Sequence, residues 1–296
     1  MALEILEQHP LAKYTSWRIG GAARFFTSVS TTEGLKAALA WGRERDLPIC
    51  VLGGGTNVLV LDSGFPGLVV RYRSNQPFRI DEERGRLWVA GGAPMAGTAR
   101  RVSAEGWAGL AWAEGLPGTI GGAVFGNAGC YGSDIAHTLE RAWLLIDGEI
   151  EEWPVERFEY GYRTSVLKAN QQPSGSTAVG PIVVAAEFRI ERGDPEALAE
   201  QMRRTAAERK SKTPVGSSCG SVFKNPPGNS AGRLIETAGL KGTRVGNAEV
   251  SQKHANYIVN LGGARSDDVL GLVEIIRERV LREHGLQLTL EIQQIG

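Results

Sequence analysis

Glycine is gathered into two stretches of this chain, and that clustering limits what the backbone around them can become. The first, Gly53-Gly54-Gly55-Thr56-Asn57, sits between apolar segments 48–52 and 58–61. The second covers residues 106–132. It includes Gly115-Leu116-Pro117-Gly118-Thr119-Ile120-Gly121-Gly122 and then Gly126-Asn127-Ala128-Gly129-Cys130-Tyr131-Gly132. The 39 glycines among 296 residues are nearly twice the usual ~7%. Each costs roughly 0.5–1 kcal/mol against alanine in regular structure. A run this dense therefore argues for backbone laid flat against an extended ligand, where a tight interstrand turn would need fewer. Converging amide N–H groups make a nest for a phosphate, and Thr56 and Asn57 add side-chain hydrogen bonds. The first stretch is not a P-loop, because no Lys-Ser/Thr follows. Nor does the first fit a Rossmann fingerprint, since the G-x-G-x-x-G spacing fails and a strand comes next. The two predict one long phosphate-bearing cofactor between two lobes.

The rest of the pattern is α+β. Residues 30–46 predict a helix with a Ser30/Glu33 capping box and apolar positions Leu35, Ala38, Leu39 and Gly42. Short strands are expected at 48–52, 58–61, 68–71, 78–80 and 87–90, then at 143–146, 150–153 and 182–190, with Asp147-Gly148 as a hairpin turn. Asp194-Pro195 opens a polar helix through about residue 209. Further helices are expected at 230–238 and 266–284, the last stopping at Gly285. Residues 287–295 alternate, which as a strand sets Glu291 opposite Leu288, Leu290 and Ile292.

Thirty-three basic residues balance 33 acidic ones, giving no general electrostatic grip on nucleic acid or anionic membrane. No apolar run nears the roughly 18 residues of a spanning helix. Residues 1–9 lack the basic start and apolar stretch of a secretory signal. Cys50, Cys130 and Cys219 are odd in number and far apart, and the four histidines are scattered, so neither a disulfide framework nor a metal site is expected. A cytoplasmic protein, expected as a monomer, follows.

Six motifs occur in one order: residues 53–60, 115–122 and 127–132, then Tyr160-Gly161-Tyr162-Arg163-Thr164-Ser165, Cys219-Gly220-Ser221-Val222-Phe223-Lys224-Asn225-Pro226 and Leu290-Glu291-Ile292. Together they resemble the UDP-N-acetylenolpyruvoylglucosamine reductase family, from about Leu11 to Gly296. The resemblance implies a vanillyl-alcohol-oxidase-like, two-lobed FAD-binding fold plus a C-terminal αβ substrate-binding domain. The expected division is 1–74 and 75–195 for the two lobes and 196–296 for the C-terminal domain. It also implies FAD as cofactor and NADPH as co-substrate. The implied reaction turns UDP-N-acetylglucosamine enolpyruvate into UDP-N-acetylmuramate, for peptidoglycan.

By the same resemblance Arg163, Ser221 and Glu291 are the catalytic three. Charge develops on the substrate carboxylate as hydride arrives, so fixed donors are needed there and an acid is needed at the neighbouring carbon. Arg163 suits the carboxylate because guanidinium stays charged and forks. Ser221 is expected to protonate the carbon. Glu291 is expected to act as a neutral acid, which requires burial or nearby carboxylates. Cofactor contacts are expected at Gly53, Gly54, Gly55, Thr56, Asn57, Gly115, Pro117, Gly118, Thr119, Gly121, Gly122, Asn127, Ala128, Gly129 and Arg209. Tyr162, Lys212 and Asn225 are expected to contact substrate, and Lys253 and His254 to approach the uridine diphosphate. Cys219 reads as a spectator thiol.

The chain departs from the family pattern in two places, and the first makes it resemble the shorter subgroup. Longer members insert a loop between the Tyr-Arg motif and the catalytic serine, bearing a tyrosine that closes over substrate. Residues 164–220 contain no tyrosine. Gln293 also stands where some relatives have arginine. Two other readings share the glycine stretches: an FAD-dependent sugar or aldonolactone oxidase, and a non-catalytic flavin- or nucleotide-sugar-binding protein.

Overall fold

The computed structural model describes residues 3–171 and 176–296. Residues 1–2, at the start of the expected first lobe, and residues 172–175, within the span without tyrosine, lie outside the described residues. The α-helices are α1 (Thr32–Arg43), α2 (Met95–Ala104), α3 (Ile120–Gly126), α4 (Ile135–Thr138), α5 (Val166–Ala169), α6 (Pro195–Lys212), α7 (Ala231–Thr237) and α8 (Ser266–His284). The chain divides into two compact units that interleave in sequence. Unit 1 comprises Met1–Ile5, Phe26–Gly54 and Gly67–Arg209, and unit 2 comprises Leu6–Phe25, Gly55–Pro66 and Lys210–Gly296.

In unit 1, five antiparallel strands run in the order Glu149–Pro154, Leu139–Ile146, Ile182–Arg189, Arg86–Ala90, Arg79–Asp81. The first two close through Asp147 and Gly148, both at positive φ, the two-residue turn that the dipeptide predicts. Alternation sends Leu87, Val89, Leu144 and Phe188 into a core with Trp107, Ile120, Val124 and Phe158. Trp88, Trp143 and Glu187 face the other way. A separate parallel pairing sets Ile49↔Leu68 through Leu52↔Arg71, so the strand leading into Gly53 is fixed in register. Helix α1 follows its predicted apolar stripe, but its cap is Thr31 and not Ser30. Thr31 Oγ1 accepts from Gly34 N at 3.0 Å, because the capping oxygen must stand three residues before the amide it satisfies. Helix α6 starts as expected, with Asp194 accepting from Glu196 N and Ala197 N.

Unit 2 packs α7 and α8 with a three-stranded antiparallel sheet of Arg244–Val245, Ala248–Val250 and Ile258–Asn260. Its core holds Val222, Phe223, Leu234, Ile235, Val273 and Ile276. Trp17, fully buried, joins them and donates its indole N–H to Ile258 O at 2.7 Å. Gly285 ends α8 at φ 66°. The expected strand over 287–295 is shorter than its alternation suggests. Only Gln293–Ile295 is strand, paired parallel with Val58–Val60, while Leu290 makes a single bridge to Phe223. A period-two pattern fixes which side chains face inward, but a ladder also needs a partner of equal length.

Among the elements that escaped the pattern are strands Leu6–Pro10 and Ala22–Val29, the three-stranded sheet of unit 2, and helices α2 and α3. Helix α3 reads Ile-Gly-Gly-Ala-Val-Phe-Gly, and three glycines in seven residues oppose a helix on propensity. Burial of Ile120, Ala123 and Val124 overrides it.

Candidate active site

Within unit 1 the two glycine stretches meet. A Cβ on Gly53 would stand 2.6 Å from Thr119 Oγ1. That oxygen is the N-cap of α3 and accepts from Gly122 N at 3.3 Å. Gly121 donates to Gly91 O at 2.7 Å, and Ile120 to Ala93 O at 2.9 Å, which fixes the second stretch against the sheet. Further along, a Cβ on Gly115, at φ 70°, would lie 2.7 Å from Arg209 Cδ. The charges of Arg209 and Arg163 also reach the half-buried Cys130 thiol. Burial raises its pKa above the ordinary value, and the two guanidinium groups pull it back. A glycine-lined backbone with the Arg209 cation against Gly115 suits a dinucleotide carrying phosphates, so the residues present in unit 1 fit FAD.

Tyr162 and Arg163 form the apex of a tight turn closed by Gly161 and Thr164, whose backbones exchange hydrogen bonds at 3.2 Å. Arg163 has φ 56°, a left-handed backbone that costs a non-glycine residue about 1–3 kcal/mol unless its surroundings hold it. Its Nη2 donates to Gly129 O at 2.7 Å, and its guanidinium carbon lies 5.6 Å from the Tyr162 ring centre. Asn127, buried and left-handed at the end of α3, donates to Gly161 O at 3.0 Å and to Asp134 Oδ2 at 3.3 Å, and accepts from Ala136 N. Its side chain is engaged within the protein, so any contact of Asn127 with a cofactor falls to its backbone. Tyr162 is exposed.

Within unit 2 the Ser221 and Glu291 segments lie side by side. Phe223 bridges Leu290, Glu291 N donates to Val222 O at 2.8 Å, and Lys224 N donates to Thr289 O at 2.8 Å. In that antiparallel register Glu291 falls one step from Ser221, and both side chains are half-buried. Asn57 reaches the same segment. Its amide donates to Glu291 O at 3.1 Å, and its carbonyl accepts from Gln293 N at 3.0 Å. Gly55, at φ 63°, lies so close to Tyr14 O that no side chain fits. Asn225 Oδ1 accepts from Ala231 N at 3.0 Å, and Lys212 is exposed at the end of α6. Lys253 Nζ donates to Lys210 O at 2.8 Å. His254 is half-buried, and its Nδ1 accepts from Asn256 N at 3.2 Å. Burial pushes the Cys219 thiol up to about 12, opposed by hydrogen bonds to Val58 and Trp17; it is a thiol at neutral pH, as a spectator should be.

Sequence reasoning missed the residues that hold these segments. Asn256, buried, accepts from Phe223 N at 3.0 Å and donates to Phe223 O at 2.8 Å, while its own carbonyl takes Val222 N. An asparagine between His254 and Tyr257 carries no local signal for that role. An open groove of about 710 Å³, lined by Thr32, Arg79, Trp88, Trp143, Val184 and Glu187, lies on the non-core face of the five-stranded sheet and holds none of the expected site residues.

This arrangement defines a flavin-dependent oxidoreductase. The family description "FAD binding domain" matches residues 23–152, and "UDP-N-acetylenolpyruvoylglucosamine reductase, C-terminal domain" matches 210–295. The UDP-N-acetylenolpyruvoylglucosamine reductase of Chloroflexus aurantiacus is 50% identical over all of this chain and 99% of its own. That of Chloroflexus aggregans is 51% identical over the same shares. The crystal structure of the Thermus caldophilus reductase superposes with a TM-score of 0.82 at 36% identity, covering both chains completely. The chain belongs to the UDP-N-acetylenolpyruvoylglucosamine reductase family.

Proposed function

We propose that Arg163, Ser221 and Glu291 are the catalytic groups with which this flavoenzyme reduces the enolpyruvyl group of UDP-N-acetylglucosamine enolpyruvate to give UDP-N-acetylmuramate. Bound FAD, reduced by NADPH, supplies the hydride for the enol methylene carbon. The protein's own groups do the rest. Arg163 forks onto the substrate carboxylate, where negative charge builds, and Glu291 donates a hydrogen bond to the same developing charge. Ser221 passes its hydroxyl proton to the neighbouring carbon, a transfer driven by the strong basicity of the enediolate-like intermediate.

The observation that carries this reading is the backbone pairing of the Ser221 and Glu291 segments in unit 2, which supports the two residues serving one site. The left-handed Arg163 turn in unit 1 supports it, since strained backbone persists where surroundings over-determine it. Gly53, Gly54, Thr119, Gly121 and Gly122, with Arg209, are the groups in unit 1 that would hold FAD. Gly55, Thr56 and Asn57 are further cofactor contacts of the same reading, and Lys212, Asn225 and Tyr162 would contact substrate. The three-part division at 74 and 195 belongs to the same reading. So does a monomer acting in the cytoplasm without membrane or nucleic acid; among the described residues no helix is long and apolar enough to cross a membrane. The test is colour. The purified protein should be yellow, bleach anaerobically with NADPH, and recolour on addition of UDP-N-acetylglucosamine enolpyruvate. Bleaching followed by reoxidation with oxygen alone would favour the oxidase reading.

A further inference from the structure

The turn that carries Arg163 is held from both ends by the C-terminal end of α3. Before the apex, Tyr160 Oη donates to Val124 O at 2.8 Å. After it, Ser165 Oγ donates to Phe125 O at 2.6 Å and accepts from Lys168 N at 3.3 Å as the N-cap of α5. These are two of the carbonyls that a helix end leaves without intrahelical partners. Ordinarily a following turn or water would satisfy them; here two side chains spaced five residues apart do so, with the Arg163 turn between them.

The grip is stiff. Ser165 is 1% exposed. The Tyr160 ring stacks on Phe158 at 5.2 Å between centres. Burial, reinforced by the Asp134 carboxylate, drives the Tyr160 phenol far above its ordinary pKa, so it stays a donor at any assay pH. Lys168 Nζ donates to Arg163 O at 3.2 Å from the α5 side. The opposite end of α3 carries Thr119 against Gly53.

We propose that Tyr160 and Ser165 are positioning residues that lock the left-handed Arg163 turn onto α3, so that the guanidinium is pre-set for the carboxylate of the substrate. The proposal rests on the reading of Arg163 as the carboxylate-binding group. A turn free to relax from φ 56° would swing the guanidinium away, and misplacement of about 1 Å at a reacting group costs on the order of 100-fold in rate. Hydride arrival from NADPH does not involve that carboxylate, so the two half-reactions should separate.

The experiment is anaerobic stopped-flow on the FAD-loaded enzyme, reading flavin bleaching by NADPH and recolouring by UDP-N-acetylglucosamine enolpyruvate. Ser165→Ala and Tyr160→Phe should each slow recolouring by about 10- to 100-fold, leave bleaching within about twofold, and retain bound FAD. Ser165→Thr, which keeps a hydroxyl, should restore most of the rate. Tyr160→Phe leaves the ring in its core and covers the case in which the serine variant does not fold. Arg163→Lys is the reference. If Arg163→Lys recolours normally, the reading of Arg163 itself fails. If it recolours slowly while Ser165→Ala and Tyr160→Phe recolour like the parent, the positioning role is overturned. Equal slowing of both half-reactions, or no rescue by threonine, overturns it too.

Discussion

The side-chain amide of Asn57 donates to the backbone carbonyl of Glu291 at 3.1 Å, across 234 positions of sequence. The same asparagine accepts from Gln293 N through its backbone, so its two bonds flank Ile292 and tie down the chain immediately after Glu291. A residue at the end of a glycine stretch thereby sets where a proposed catalytic carboxyl begins.

Asn57→Ala removes that donor and leaves a part-buried carbonyl short of a partner, a loss of about 1–3 kcal/mol. Thermal unfolding should register it. Recolouring by substrate should slow by about 10-fold as Glu291 loses its anchor. A variant with unchanged unfolding and unchanged recolouring would show that the bond contributes nothing.

Glu291→Ala removes both the carboxyl group and the hydrogen bond it would donate. If Glu291 works as a neutral acid, bleaching by NADPH should be kept and recolouring slowed by about 10²-fold, the range for loss of one donor at a developing charge. Equal slowing of both steps would count against that role.

Gly53→Ala forces a methyl group to within 2.6 Å of Thr119 Oγ1. Thr119 can yield only by giving up its hydrogen bond to Gly122 N, the cap of α3, which is worth about 1 kcal/mol. The expected outcome is weaker FAD retention, seen as a paler protein after gel filtration and a higher dissociation constant by flavin fluorescence. Full colour would mean that the two stretches can separate at no cost to the cofactor.

Stability should fall on mild acidification through His254. Burial holds its pKa below the ordinary 6.5, helped by Lys241 and Lys212 and opposed by Glu236 and a backbone hydrogen bond. The unfolded chain takes up a proton as pH drops below about 6.5, whereas the folded chain resists until lower pH. The His254 contribution is therefore complete above 6.5 and lost as pH falls through the folded value. Melting temperatures from pH 8 to 5 should decline more steeply for the parent than for His254→Gln. Identical slopes would exclude the histidine as the cause.

Much of this protein was legible along the chain because the signals are local. Apolar periodicity marked α1 and α8, Asp194-Pro195 marked α6, Asp147-Gly148 marked a hairpin, and ordered motifs pointed to the family. Each depends on dihedral preference or on the spacing of neighbours, which a linear string records. The sequence could not show that α3 is a helix, since its glycines argue otherwise until Ile120 and Val124 find a core. Nor could it show that Tyr160 and Ser165 clasp that helix, that Asn256 braces the Ser221 segment, or that residues 6–25 and 55–66 belong with the C-terminal unit. Those facts depend on which backbone groups remain unpaired once the chain has closed on itself, and only the tertiary structure decides that.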